Sequence, residues 1–509
     1  MSLASCHEKN PTPPRPGVEA FIWPLLVFFL ALAPRLFGLG SRSFWLDEIF
    51  TLNRASLSVP ALTLDSFQNH HMPGFFLLLA PLTHLAHPEY WLRLPPAIFG
   101  AVTVALVFMI TSRIAGRLAS ILAALCIGLS PAALGFSQEA RSYTLVMALI
   151  LLALYGVTRL ARDWRSDKTG WACYILGTAL ALAVLADSVP WFIAANLIFI
   201  CFLPFVPEPK RFIRRAILSD VVILIVTAPL YGLMLHYQLQ HVTTSFGWIP
   251  ELSLSQIWYS FSSVYLMHVP DWVSFRLLGH HAIPGVIWLI DLLLLAALGA
   301  AFWNLRRQPE VLIVQAIAFL FLPCLFLAIS FIHPIFLPRY LLWSAAPFAI
   351  LAGVGGEALL KTMPGKAQNG AIAALVVLLS LNALPYYRNE LKPNWNVAAQ
   401  ELAAEVKPGD VVLFSDTGAV PILKFYLTAQ GNEAVLSSPY TSLSDAEIAL
   451  RQGKRVWVIY GHAGQNATTH ESFFSQIQSL GTPKQVQKAG QRIFIALYDP
   501  TLKLEGSED

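Results

Sequence analysis

Apolar runs of about 17 or more residues recur from Phe21 to Tyr387, the length at which a helix covers the hydrocarbon core of a bilayer. The pattern predicts about eleven spanning helices. They are Phe21–Leu39, Pro95–Ile114, Leu118–Gly135, Tyr143–Leu160, Trp171–Leu185, Val189–Phe205, Ile217–Leu235, Pro284–Trp303, Val311–Ile332, Tyr340–Gly356 and Ala371–Leu384. The segment Met72–Ala86 is apolar but short and carries His84, so it is read as interfacial, not crossing. The first span has no signal-peptide character and is expected to stay as an anchor.

After Tyr387 the pattern changes. Val411–Phe414, Val456–Ile459 and Ile493–Ala496 read as short buried strands, with helical patterns at Val397–Val406, Ala419–Thr428 and Asp445–Gln452 between them. Strand–helix alternation predicts a small three-layer α/β unit. The expected organisation is a tail over 1–19, a membrane domain over 20–388 and an α/β domain over 389–509. No glycine-rich nucleotide loop accompanies the first strand.

Charge fixes the topology. With Met72–Ala86 not crossing, one side receives Arg113, Arg117, Arg159, Arg162, Arg165, Lys168, Lys210, Arg211, Arg214, Arg215, Arg306, Arg307, Lys361 and Lys366. The positive-inside rule makes that side cytoplasmic. The opposite side then holds Asp47, Glu48, His70, His71, Glu139, Arg141, Asp187, Arg339 and the C-terminal tail. Of the 509 residues 56% are hydrophobic and 13% charged, against about 25% charged in a soluble domain. The net charge of +4 reflects membrane orientation and not a nucleic-acid surface. The five cysteines imply no disulfide framework.

Three outer constellations can carry chemistry. Trp45-Leu46-Asp47-Glu48 and His70-His71-Met72-Pro73 bracket the first outer loop and bring carboxylates and imidazoles to one depth, unless Asp47 merely caps a short helix running to Arg54. Ser137-Gln138-Glu139-Ala140-Arg141-Ser142-Tyr143 separates two spans, and reads either as a solvated hairpin with a Glu139–Arg141 pair or as phosphate recognition by the guanidinium. His333-Pro334-Ile335-Phe336-Leu337-Pro338-Arg339-Tyr340 puts a second arginine at the outer start of a span, where snorkelling to headgroups is the plainer outcome. Trp248, Trp258 and Trp272 are interface anchors or sugar-stacking platforms.

Taken together these motifs resemble the GT-C superfamily of integral-membrane glycosyltransferases. The likeness is to the branch of protein O-mannosyltransferases, lipid A aminoarabinose transferases and lipopolysaccharide-core galacturonosyltransferases. It is carried by Arg35-Leu36-Phe37-Gly38-Leu39, Trp45-Leu46-Asp47-Glu48, His71-Met72-Pro73-Gly74-Phe75-Phe76, Arg93-Leu94-Pro95 with Phe99-Gly100, Leu129-Ser130-Pro131, the 137–143 septet and Arg339-Tyr340. It is dense over 20–160 and thin afterwards. Where many relatives have a Thr-His or Tyr-His pair near the end of the fifth span, this chain has Asp187-Ser188. No Trp-Trp-Asp run is present, which argues against oligosaccharyl transfer to asparagine.

The resemblance implies a polytopic GT-C fold in a bacterial inner membrane, working at its outer face. It implies transfer of a monosaccharide, with inversion, from a polyprenyl-phosphate donor to a lipid, lipopolysaccharide, glycan or protein acceptor. Asp47 would be the base, with Glu48, His70, His71, Glu139, Arg141, Tyr143, Arg339 and Tyr340 binding donor phosphate or substrate. No cofactor is required and no metal ligand set is assigned, although converging acids, imidazoles and phosphate admit a divalent cation. Burial and repulsion from Glu48 are expected to raise the proton affinity of Asp47. The alternative is a transporter or flippase of lipid-linked sugars.

Overall fold

In the computed structural model the described residues are 19–240, 249–272, 275–278, 285–389, 391–407, 409–416, 418–429, 431, 439–440, 443–461, 470–490 and 492–500. Eight helices among them are long and apolar enough to cross a bilayer: 88–114, 143–163, 186–205, 209–239, 286–305, 309–330, 338–360 and 365–388. A ninth span arises if Arg117–Gly128 and Pro131–Ser137, bent by 62°, are taken together. Phe21–Leu36 and Lys168–Val184 are apolar but shorter. Each of the eleven expected spans thus meets a helix, and eight or nine satisfy the length criterion. The chain is a multi-pass membrane protein.

Met72–Ala86 contains only the six-residue helix Gly74–Leu79 and the 3-10 turn Ala80–Leu82. Six residues rise about 9 Å, far short of a ~30 Å hydrocarbon core. It does not cross, as the charge pattern requires.

Small residues let the helices approach at the buried centre. A Cβ on Gly100 would collide with Ser137 Oγ and stand 2.8 Å from Arg35 Nε. The Arg35 guanidinium fills that space, donating to Ser137 Oγ at 3.1 Å and to the carbonyls of Ala31 and Gly128. Three of the sequence motifs therefore meet at one packing point, and none of these three residues belongs to the candidate site.

The C-terminal region forms a five-stranded sheet in the order 439–440, 411–414, 456–460, 493–498, 485–489. The first three strands run parallel, and 493–498 runs antiparallel to both of its neighbours, 456–460 and 485–489. The three expected strands and the three expected helices, observed at Trp395–Glu405, Ala419–Ala429 and Leu443–Arg451, are all present. One sheet face, with Val412, Trp457 and Ile495, continues the hydrophobic core of the helical bundle, while Val411, Val458 and Ala496 form a separate core on the other.

This sheet region grips the loop ahead of Asp47. Ser43 Oγ donates to the Pro393 carbonyl at 2.9 Å and accepts from the Trp395 amide at 3.1 Å. The Tyr426 hydroxyl accepts from the Phe44 amide at 2.7 Å. Arg492 makes a two-pronged contact with Asp271, at 2.9 and 2.8 Å. Residue 271 belongs to a two-stranded ribbon, Pro270–Asp271 with Arg276–Leu277, between the helices Leu254–Tyr265 and Val286–Leu305.

Candidate functional site

Asp47 and Glu48 lie in the first turn of a helix, Leu46–Ala55, whose N-cap is Trp45. Acidic residues are favoured there by the helix dipole. Successive residues on a helix are 100° apart, so the two carboxylates cannot face the same partner. Glu48 turns inward. It is completely buried, accepts from Arg93 Nε at 2.8 Å and Nη2 at 2.7 Å, and from the Ala140 amide at 2.9 Å. The Trp45 amide, at 3.3 Å, completes the set. Arg93 in turn donates to the carbonyls of Leu39, Arg42 and Ser43. Glu48, expected among the substrate-binding groups, has its oxygens taken up in fixing the loop.

Asp47 turns toward Arg339 and Arg141, each beside the start of a span. Its Oδ2 is 3.1 Å from Arg339 Nη1, and its side chain is 26% exposed. Arg141 Nη1 lies 3.5 Å from both the Asp47 carbonyl oxygen and Thr51 Oγ1. The acid and the two arginines, far apart in sequence, thus share one end of the bundle. Arg339 also lies over the Trp45 ring at 5.5 Å, and Arg141 over Tyr143 at 5.8 Å.

The electrostatics differ from the expectation. Burial pushes the Asp47 carboxyl up, but Arg141, Arg339, His71 and Lys392 outweigh it and hold the group below the usual carboxylate range. Glu48, expected to add repulsion, is instead paired with Arg93. His71 moves the opposite way from a histidine beside a lone acid. Burial, reinforced by Arg141 and Arg54, pulls it down to about 3. Its ring is edge-on to Phe76 at 5.8 Å. His71 is therefore neutral at physiological pH, and its imidazole signals should not titrate between pH 5 and 8. Ring NMR shifts recorded over that range will check this.

His70 sits at a turn with φ of +62°, one residue beyond the C-cap of helix Val59–Gln68. It neighbours His71 electrostatically, whereas His71 is the one that acts on Asp47. Glu139 does not pair with Arg141, the hairpin arrangement weighed from the sequence. Its Oε1 takes Lys392 Nζ at 2.7 Å, and its Oε2 is buried without a hydrogen-bond partner. Lys392, which the sequence reading missed, also lies over the Trp45 ring at 4.5 Å.

Two small cavities flank this cluster. The first, of about 300 Å³, is lined by Tyr143, Val146, Leu185, Asp187, Arg339 and Tyr340 among others. The second, of about 280 Å³, includes Arg42, Gln138, Glu139, Trp272, Tyr386 and Lys392. Tyr143 and Tyr340 thus meet at the first cavity. Trp272 packs on Phe136 at 4.7 Å and lines the second, whereas Trp258 is exposed and Trp248 lies outside the described residues. Among the described residues no group of three or more His, Cys, Asp or Glu side chains is arranged to hold a metal ion.

The helical order and the loop carrying Asp47 invite comparison with known architectures. No protein-family model and no curated protein sequence matches the chain. Among solved structures, apo ArnT from Cupriavidus metallidurans aligns with a TM-score of 0.56 at 12% identity, over 95% of this chain and 99% of that one. ArnT bound to undecaprenyl phosphate aligns with a TM-score of 0.53 at 12% identity, over 96% and 100%. The chain has the GT-C fold. The apo oligosaccharyltransferase of Archaeoglobus fulgidus aligns at 0.52 and 11% identity, over 86% of this chain and 69% of that one. In this chain Asp47, Arg141 and Arg339 converge at one end of the helical bundle beside the first cavity.

Proposed function

We propose that the protein is an inverting glycosyltransferase that moves one monosaccharide from a polyprenyl-phosphate donor to an extracytoplasmic acceptor. The observation that carries this reading is the contact of Asp47 with Arg339, next to Arg141, above a cavity at the end of a membrane-spanning bundle. The solved relative bound to undecaprenyl phosphate supports a lipid phosphate as the natural occupant. The charge pattern supports an outward-facing site in a bacterial inner membrane.

The chemistry follows from charge. A displacement at the anomeric carbon breaks its bond to the phosphate oxygen and forms one to the acceptor oxygen. The departing phosphate gains negative charge, which Arg141 and Arg339 are placed to stabilise. The acceptor loses a proton, and the Asp47 carboxylate receives it. Without donor, Arg339 holds Asp47 as an ion pair and keeps it a weak base. An incoming phosphate competes for that guanidinium, and burial then raises the proton affinity of Asp47. The base would gain strength only when the donor is seated.

Two expected results test these assignments. Arg339→Gln removes a cation that lowers the Asp47 pKa but leaves the burial that raises it. The acid limb of kcat/KM should therefore shift to higher pH, as read from a pH–rate profile. An unmoved limb removes Arg339 from the control of Asp47. Arg141→Gln should weaken undecaprenyl phosphate binding about 10–100-fold, the worth of one charge-assisted contact, as measured by titration in lipid nanodiscs. The function itself is tested with the purified protein, a panel of radiolabelled polyprenyl-phosphate hexoses, pentoses and uronic acids, and a membrane extract as acceptor. Movement of lipid-linked sugar between leaflets with no new glycosidic bond would overturn the transferase reading and establish the flippase.

A further inference from the structure

We infer that Asp187 is the sugar-reading carboxylate of the donor cavity, and that the transferred monosaccharide turns a hydroxyl or ammonium group, not a carboxylate, toward it. The inference rests on the donor-phosphate reading above and adds the chemical class of the sugar.

Asp187 occupies a 3-10 turn, Ala186–Ser188, between the apolar helices Lys168–Val184 and Val189–Phe202. It lines the cavity that Arg339, Tyr143 and Tyr340 share. Its carboxylate is within electrostatic range of Arg141, Tyr231 and Tyr340. Among the described residues no hydrogen bond or ion pair engages it. The other acids of the cluster are each matched by a cation: Asp47 by Arg339, Glu48 by Arg93 and Glu139 by Lys392. A carboxylate left unmatched at the edge of an apolar bundle is costly, and here it lines the same small cavity as Arg339.

Charge orients that ligand. Asp187 repels phosphate, whereas Arg339 and Arg141 attract it, so a phosphate at the arginines directs the attached sugar ring along the cavity toward Asp187. An ionised carboxylate accepts hydrogen bonds and donates none. The group that meets it must donate, and a uronic acid would set like charge against like charge.

The test measures binding of four lipids in nanodiscs: undecaprenyl phosphate and its hexosyl, aminohexosyl and hexuronosyl derivatives. Wild type should bind the hexosyl or aminohexosyl lipid about tenfold more tightly than the bare phosphate, the worth of one charge-assisted hydrogen bond. It should bind the hexuronosyl lipid at least tenfold more weakly than the preferred one. Asp187→Asn and Asp187→Ser should lose both differences while binding bare undecaprenyl phosphate at least as tightly as wild type does, which also reports correct folding. If either difference persists in both variants, or if wild type binds the hexuronosyl lipid as tightly as the others, the inference is overturned. If wild type binds none of the four, the phosphate reading fails and takes this inference with it.

Discussion

Asp47→Asn should lower sugar transfer by about 10²–10⁴-fold, the usual contribution of a positioned general base, while donor binding persists. The amide keeps the shape of the side chain but cannot take up the acceptor proton. It also frees Arg339, whose Nη1 lies 3.1 Å from the carboxylate, so affinity for undecaprenyl phosphate should hold or rise. Single-turnover transfer and lipid titration on the same preparation separate these effects. Turnover close to that of wild type would remove Asp47 from the proton transfer. Loss of binding in parallel with rate would make it a ligand-positioning residue instead.

The neighbouring acid should behave in the opposite way. Glu48→Ala leaves Arg93 as an unmatched cation within a core where the two side chains are 0% and 2% exposed. Breaking a buried pair by removing one partner costs about 3–5 kcal/mol, so the variant should unfold at markedly lower temperature or fail to accumulate. Asp47→Asn should change the unfolding temperature little by comparison. Replacing both partners, as Glu48→Leu with Arg93→Leu, should recover part of the loss, because no buried charge is left unmatched. Recovery will be incomplete, since Arg93 also holds the carbonyls of Leu39, Arg42 and Ser43. Thermal unfolding of the three proteins in one detergent decides it. Adjacent carboxylates would then divide the work, one holding the loop and the other facing the reaction.

The parts of the site that could be read from the sequence are those where a polar residue contradicts its surroundings. Asp47, Arg141 and Arg339 stand out because each interrupts apolar sequence at a helix end. The buried strands were legible for a related reason: Val411–Phe414 and Val456–Tyr460 are unbroken apolar runs with both faces covered. Gln485–Ala489 was missed because it is an edge strand with alternating exposure and polar positions. The start of the second long helix was placed at Pro95, yet the helix begins at Pro88, after a left-handed His87, and carries Pro95 and Pro96 within it. A proline marks a helix start only when it lies in the first turn, and three prolines competed for that position.

Lys392 had no such signal. A single lysine beyond the last span looks like solvent-facing linker, and its partner Glu139 is 253 residues away. Glu48 and Asp47 were equally hard to tell apart, because which carboxylate faces inward depends on the phase of a short helix against Arg93. The depressed pKa of Asp47 has the same origin. Four positive or polarising groups from four separate segments act on it, and only the assembled bundle brings them together.

The clasp on the Asp47 loop also has a place in the order of synthesis. Pro393, Tyr426 and Arg492, which hold Ser43, Phe44 and Asp271, are among the later residues to leave the ribosome. A nascent chain threaded into the bilayer through its final hydrophobic helix already owns Asp47, Arg141 and Arg339, with the loop held by Glu48 and Arg93 but not yet by this clasp. The clasp is therefore the last support of the Asp47 loop to form, added after the helices that carry Asp47, Arg141 and Arg339 have been made.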